Sequence, residues 1–432
     1  MRTFLTRFPA LYSLSKEQAF MLTILFVNGG NYLYNLLLGR LLGPAAFADA
    51  AVLITFLLIA SFAGMTFQIV TAKYAVLFKG NRFRIFMHWI IKRGVFIGIA
   101  GACAIIIISP YLQQLFNTGN HLMFILFGAG LPIYFIMSIN RGGYQGKNDL
   151  QKLSMTYQAE MLSRLLITLG LIFLFQTTES SLLVAVGILA SLFFGLLPLN
   201  IKTILPANKI YWQQLDTKPI VIFFVLTSFY ELTQIIINNS DILLVKHYFN
   251  SKDAGLYASL ALIGRVVYFV AWMFVMLLLP KVIALKEKGF DTKPILLKHV
   301  GYIAMLSAAI VGVTFLFPEL VVQLMFGNEY ISVAPLLWQY ALATSIFAIA
   351  NIFAYYFLSI GLYLPVALSG LLGLTQIALI IFFHDGLEQV VHAQIAAMTI
   401  LLIVQLCFFF YQNKKNIQHS QVSIHRNATG SN

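Results

Sequence analysis

Charge is what this sequence has least of: Asp, Glu, Lys and Arg make up only 10% of its 432 residues, against 60% hydrophobic, and mean hydropathy is +0.85. A water-soluble fold of this length cannot bury so much apolar surface, which excludes a soluble enzyme. Cysteine is almost absent. Cys103 and Cys407 both fall inside apolar runs, where a thiol acts as a small apolar filler, and the pair supports neither a disulfide framework nor a thiolate metal site. No cleavable leader is expected: Arg2, Arg7 and Lys16 punctuate the first seventeen residues, which lack a short apolar core and a small-residue cleavage site. The first apolar run is therefore expected to be retained.

Apolar runs are what the chain has in abundance. They read as spans at 19–39, 48–72, 94–113, 121–140, 153–175, 181–201, 219–245, 254–280, 300–318, 333–357, 362–383 and 390–411. A run of about 20 residues crosses a hydrocarbon core of roughly 30 Å. The expected fold is an all-α membrane protein of about twelve transmembrane helices. Its expected segments are an N-terminal segment 1–18, a six-helix lobe 19–205, a second lobe 206–411, and a polar, disordered tail 412–432 carrying Lys414, Lys415 and Arg426.

Cations set the orientation, because loops rich in Lys and Arg stay on the cytoplasmic side. Of the 28 Lys and Arg residues, the loops of one face hold Arg40, Lys246 and Lys252, and Arg164 and Arg265 lie inside spans. The remaining 23 sit in the N-terminal segment, the alternate loops and the tail, so both termini are expected in the cytoplasm. The formal charge of +13 is then a mark of topology, and no nucleic-acid partner is expected. Residues 31–49 match 238–256, with Asn31 on Asn238, Leu36-Leu37 on Leu243-Leu244, and the turn at Gly43-Pro44 on Asn250-Ser251. Two halves of six spans each enter from the same side, as parallel repeats with a substrate cleft expected between lobes.

The chain resembles the oligosaccharide-lipid flippases of polysaccharide biosynthesis, relatives of the MATE drug exporters. The resemblance rests on three stretches. They are Gly39-Arg40-Leu41-Leu42-Gly43-Pro44, Arg141-Gly142-Gly143-Tyr144-Gln145-Gly146, and the region from Asp241-Ile242-Leu243-Leu244-Val245 through Ala254-Gly255-Leu256-Tyr257 to Leu279-Pro280-Lys281. It implies a MATE-like fold in a bacterial inner membrane, flipping an undecaprenyl-diphosphate-linked oligosaccharide to the periplasmic leaflet. It further implies contacts with the bilayer and with other membrane proteins of polysaccharide assembly.

Polar residues within spans should face protein or water, since an unsatisfied polar group in hydrocarbon is costly. Asn28, Asn31 and Asn35 share one face of the first span, and Glu231, Gln234, Asn238 and Asp241 repeat the pattern in the seventh. These amides are expected to line a substrate pathway, or else to hydrogen-bond between helices. Glu231 and Asp241 are the candidates for coupling to H⁺ or Na⁺; no other cofactor is expected. Arg164 and Arg265 are the cations placed well inside spans, and a guanidinium grips a diphosphate through paired hydrogen bonds. The competing expectation is structural pairing: Glu160 with Arg164 at i, i+4, and Glu231 with Arg265 on adjacent spans. His384, Asp385, Glu388 and His392 cluster in one loop, read as a solvated loop rather than a metal site. A MATE-type drug exporter and a polytopic enzyme acting on lipid-linked glycans are the alternative readings.

Overall fold

The computed structural model describes residues 15–175, 179–199, 215–268, 271, 278, 282, 285–286 and 288–429, and among these every regular element is helical. The order is α1 (Lys16–Leu77), α2 (Gly80–Leu115), α3 (Leu122–Gly146), α4 (Leu150–Leu174), α5 (Ser180–Gly195), α6 (Lys218–Tyr248), α7 (Ser251–Gly264), α8 (Lys293–Leu316) and α9 (Pro318–Met325). A 3-10 segment, Asn328–Leu336, leads to α10 (Leu337–Ser359), α11 (Tyr363–Phe382) and α12 (Leu387–Thr429). Starts and stops follow local chemistry. The Ser15 hydroxyl accepts from the Gln18 amide, while the Gln18 side chain accepts from the Ser15 amide. Asp149 caps α4, and Pro294 and Pro318 sit in the first turns of α8 and α9.

At 1.5 Å per residue the 62 residues of α1 would run roughly 93 Å, about three times the hydrocarbon core. Gly43 breaks it. Its backbone, at φ 72° and ψ 170°, lies where only glycine is comfortable, and Pro44 follows without an N–H. The limbs 16–42 and 44–77 are therefore separate crossings, as the two apolar runs require. The turn between α6 and α7 falls at Asn250, the residue matched to Gly43 in the internal repeat. Among the described residues eight helices are long and apolar enough to cross a bilayer, or nine with Lys218–Thr233 and Asn238–Tyr248 taken as one span. The α1 break and the shorter apolar helix α5 add to that number among the described residues, consistent with about twelve crossings.

Three boundaries differ from the hydropathy reading. Helix α2 begins at Gly80 rather than near 94, because Phe83, Phe86 and Ile90 give its polar first half a buried face against Phe67, Val70 and Tyr74. Helix α3 runs on through Gly146, past the expected end at 140. Helix α12 continues to Thr429, through the segment read as a disordered tail; no Gly or Pro stands between Leu387 and Thr429 to stop it. Cys103 and Cys407 lie on exposed helix faces rather than filling the interior.

The chain forms two compact units, 1–235 with 249–255, and 236–248 with 256–432. In the first, α3 packs against α1, α2 and α5, and α4 against α1 and α5; in the second, α10 packs against α8 and α12, and α11 against α12.

Candidate functional site

Each unit encloses a polar cluster. In the first, the close approach of two helices builds it. A Cβ on Gly142 would lie 2.4 Å from the Gln68 carbonyl, and one on Gly146 2.4 Å from the Ala72 carbonyl, so glycine at these i, i+4 positions lets the α3 backbone lie against α1. Arg141, on one flank of this seam, is thereby carried into the interior, while Gln145 on the other flank stays exposed and reaches in to Gln68. Gln145 Oε1 accepts from Gln68 Nε2 at 2.8 Å, and Gln68 also bonds the Tyr157 hydroxyl at 2.9 Å.

Arg141 is 4% exposed, although hydropathy places it in a loop. Its Nη2 donates to Glu160 Oε2 at 2.7 Å and to the Thr156 carbonyl at 2.9 Å, its Nε donates to the Thr156 hydroxyl, and its guanidinium lies over the Tyr157 ring. Glu160, one turn before Arg164, also pairs with it at 3.3 Å. Arg164 Nη2 donates to Asn31 Oδ1 at 2.8 Å. Two guanidiniums thus share one carboxylate, leaving one positive charge in surplus among the described residues of this buried cluster. Of the three first-span amides, Asn31 joins the cluster, Asn35 bonds the Asn31 carbonyl at 2.8 Å, and Asn28 is exposed.

The second unit arranges its charges differently. Asp241, 1% exposed, receives Arg265 Nη2 at 2.6 Å on Oδ1; Tyr340 Oη at 2.8 Å, Gln394 Nε2 at 2.7 Å and Tyr257 Oη at 3.1 Å converge on Oδ2. Arg265 also donates to the Tyr340 hydroxyl and to Asn239 Oδ1. Among the described residues one acid meets one base, so this centre is neutral. The expected Glu231–Arg265 pair is corrected here. Asp241 lies deeper in the protein than its place near a span end suggests, and the long Arg265 side chain reaches it, while Glu231 belongs to the first unit. Asn238 bonds the Tyr268 hydroxyl at 3.4 Å, and the side chain of Gln234 lies outside the described residues.

Sequence reasoning missed Arg141, Tyr257, Tyr340 and Gln394. Arg141 had a signal in the glycines beside it, whereas the others are ordinary polar residues of apolar helices whose role appears only in contact. Three of the four loop residues are otherwise engaged: His384 stacks on Tyr248 at 3.9 Å, His392 bonds Gln339 at 2.9 Å, and Gln389 bonds Asp385. Among the described residues, no three His, Cys, Asp or Glu side chains gather as metal ligands.

The fold is similar to that of an inward-facing multidrug resistance MATE family transporter of the MOP superfamily, at TM-score 0.72 and 13% identity over 89% of this chain and 93% of that one. It is equally similar to the inward closed conformation of the lipid II flippase MurJ, at TM-score 0.72 and 14% identity over 90% and 87%. A MOP superfamily transporter from Pyrococcus furiosus aligns at TM-score 0.61 and 15% identity over 92% and 96%. No curated protein sequence matches. The family model described as polysaccharide biosynthesis protein matches residues 37–335, well over half of the chain. The chain is a multi-pass membrane protein with a MATE-like fold and belongs to the polysaccharide biosynthesis protein family.

Proposed function

We propose that this protein flips an undecaprenyl-diphosphate-linked oligosaccharide across a bacterial inner membrane by alternating access, with both termini in the cytoplasm. The observation that carries the reading is the surplus positive charge held by Arg141, Glu160 and Arg164 within the first unit. A buried guanidinium in a membrane protein is costly unless it has a partner or a task. Glu160 can neutralise only one of the two. The second attracts an anion, and a diphosphate needs such a site, because its unaided passage through hydrocarbon faces a large desolvation barrier. Family membership supports a glycan substrate, and the likeness to a lipid II flippase supports a lipid-linked one. The MATE-type alternative is served equally by the fold, and the cluster of net positive charge favours an anionic substrate over a cationic one.

Arg164, hydrogen-bonded to Asn31, is the proposed diphosphate anchor, with Arg141 as its electrostatic support. Arg265, first paired with Arg164 in this role, is committed to Asp241. Asn28, Asn35 and Asn238 are proposed to meet the glycan, with Gln234 beside them in sequence, and Glu231 to serve H⁺ or Na⁺ coupling.

The test is binding of lipid-linked oligosaccharide to purified, correctly folded variants, followed by translocation in vesicles with and without imposed proton and sodium gradients. Arg164→Ala should lose binding, and Arg164→Lys should be intermediate, because lysine keeps charge and loses the bidentate fork. Unchanged affinity in Arg164→Ala would remove the anchor role. Transfer or hydrolysis of the glycan by the purified protein would favour the enzyme reading instead.

A further inference from the structure

The charge on Asp241 bears on which ion drives the protein. A carboxylate deep in a membrane protein and ringed by oxygens is the usual place to seek a bound cation: hard monovalent and divalent cations take carboxylate, amide and hydroxyl oxygens. Here the ring is present. Beside Asp241 stand Asn239 Oδ1, the hydroxyls of Tyr257 and Tyr340, and Gln376, which is 1% exposed with a buried Oε1 that has no hydrogen-bond partner. Gln376, Gln394, Asp241 and Arg265 line one small cavity of about 30 Å³ within the second unit, room for about two waters.

The cation in this cage is already part of the chain. The Arg265 guanidinium touches three of those oxygen groups, at 2.6 Å to Asp241, 3.1 Å to Tyr340 and 3.3 Å to Asn239. Arginine cannot give up its proton, and so supplies a permanent unit charge to an acid whose other oxygen accepts from Tyr257, Tyr340 and Gln394. A second cation would find the carboxylate neutralised and would face the guanidinium at close range.

We propose that Arg265 is a resident cation, a tethered substitute for a bound sodium ion, that makes the second unit independent of sodium and leaves a latent sodium site beneath it. Asp241 is then a structural counter-ion, and any coupling ion must act elsewhere. The inference concerns this unit alone and does not depend on the identity of the substrate.

Unfolding temperature of detergent-purified full-length protein, titrated with NaCl against choline chloride at equal ionic strength, tests it. Wild-type protein should show no sodium-specific shift. Arg265→Gln, which removes the charge and keeps much of the volume, should gain a saturable rise with sodium, and Arg265→Gln combined with Asp241→Asn should lose that rise. Recovery of folded Arg265→Gln only when sodium is present throughout purification would give the same support. The proposal is overturned by a sodium-dependent rise in wild type that disappears in Asp241→Asn. It is overturned equally by folded Arg265→Gln with no sodium response, or by Arg265→Gln that is recoverable in neither salt. A failure of Arg164→Ala to lose lipid-linked oligosaccharide binding would leave this inference untouched.

Discussion

At the scale of single residues, the two units use the same charge chemistry to opposite ends. Arg265 and Asp241 cancel, whereas Glu160 stands between Arg141 at 2.7 Å and Arg164 at 3.3 Å and cannot cancel both. Glu160 is therefore the keystone of its cluster, and its loss should cost most. Removing one partner of a buried ion pair typically costs about 3–5 kcal/mol, and Glu160→Ala should reach that range because it leaves two guanidiniums facing each other. Arg141→Ala should cost less, since Glu160 keeps Arg164. Thermal unfolding in detergent would rank the two variants. A larger loss in Arg141→Ala than in Glu160→Ala would mean that the cluster is not organised around the carboxylate.

At the scale of elements, the glycine-rich stretch from Arg141 to Gly146 is first a packing device. Gly142 and Gly146 set the α1–α3 approach, and that approach brings Arg141 and Gln145 to Glu160 and Gln68. Gly142→Ala should push the helices apart against backbone and cost about 1–3 kcal/mol, in the manner of overpacking. Gly170→Ala in α4 is the contrasting change. Nothing lies within 4 Å of its added Cβ, so helix propensity alone should make it neutral or stabilising by up to about 1 kcal/mol. Equal melting temperatures for the two variants would show that the seam is not close-packed. The α3 boundary explains how Arg141 escaped the hydropathy reading: a span expected to end at 140 continues to Gly146, because its last turns are buried against protein rather than lipid.

For the whole molecule, the surplus of Lys and Arg on one set of loops predicts topology. In a background with Cys103 and Cys407 replaced, Asn81→Cys and Lys288→Cys should be shielded from an impermeant thiol reagent in intact cells, and Asn120→Cys should react. Labelling of Lys288→Cys from outside would invert the orientation and, with it, the proposed direction of transport.

Much of this molecule is legible in one dimension. Membrane residence, the crossings and their punctuation at Gly43-Pro44 and Asn250, and the polar residues worth watching all follow from hydropathy summed over some 20 neighbouring residues, a local property of the chain. Asn31, Arg164, Asp241 and Arg265 were identifiable on that basis. Their partners were not. Asp241 draws Tyr340 from 99 residues away and Gln394 from 153, and Arg141 meets Glu160 across 19. Reading along the chain pairs Arg265 with Glu231 on the adjacent span and leaves Asp241 near the end of the span 219–245, because span positions carry neither the rotation of each helix nor the reach of a side chain. Only tertiary packing decides those, and so decided which buried cation is cancelled and which is left in surplus.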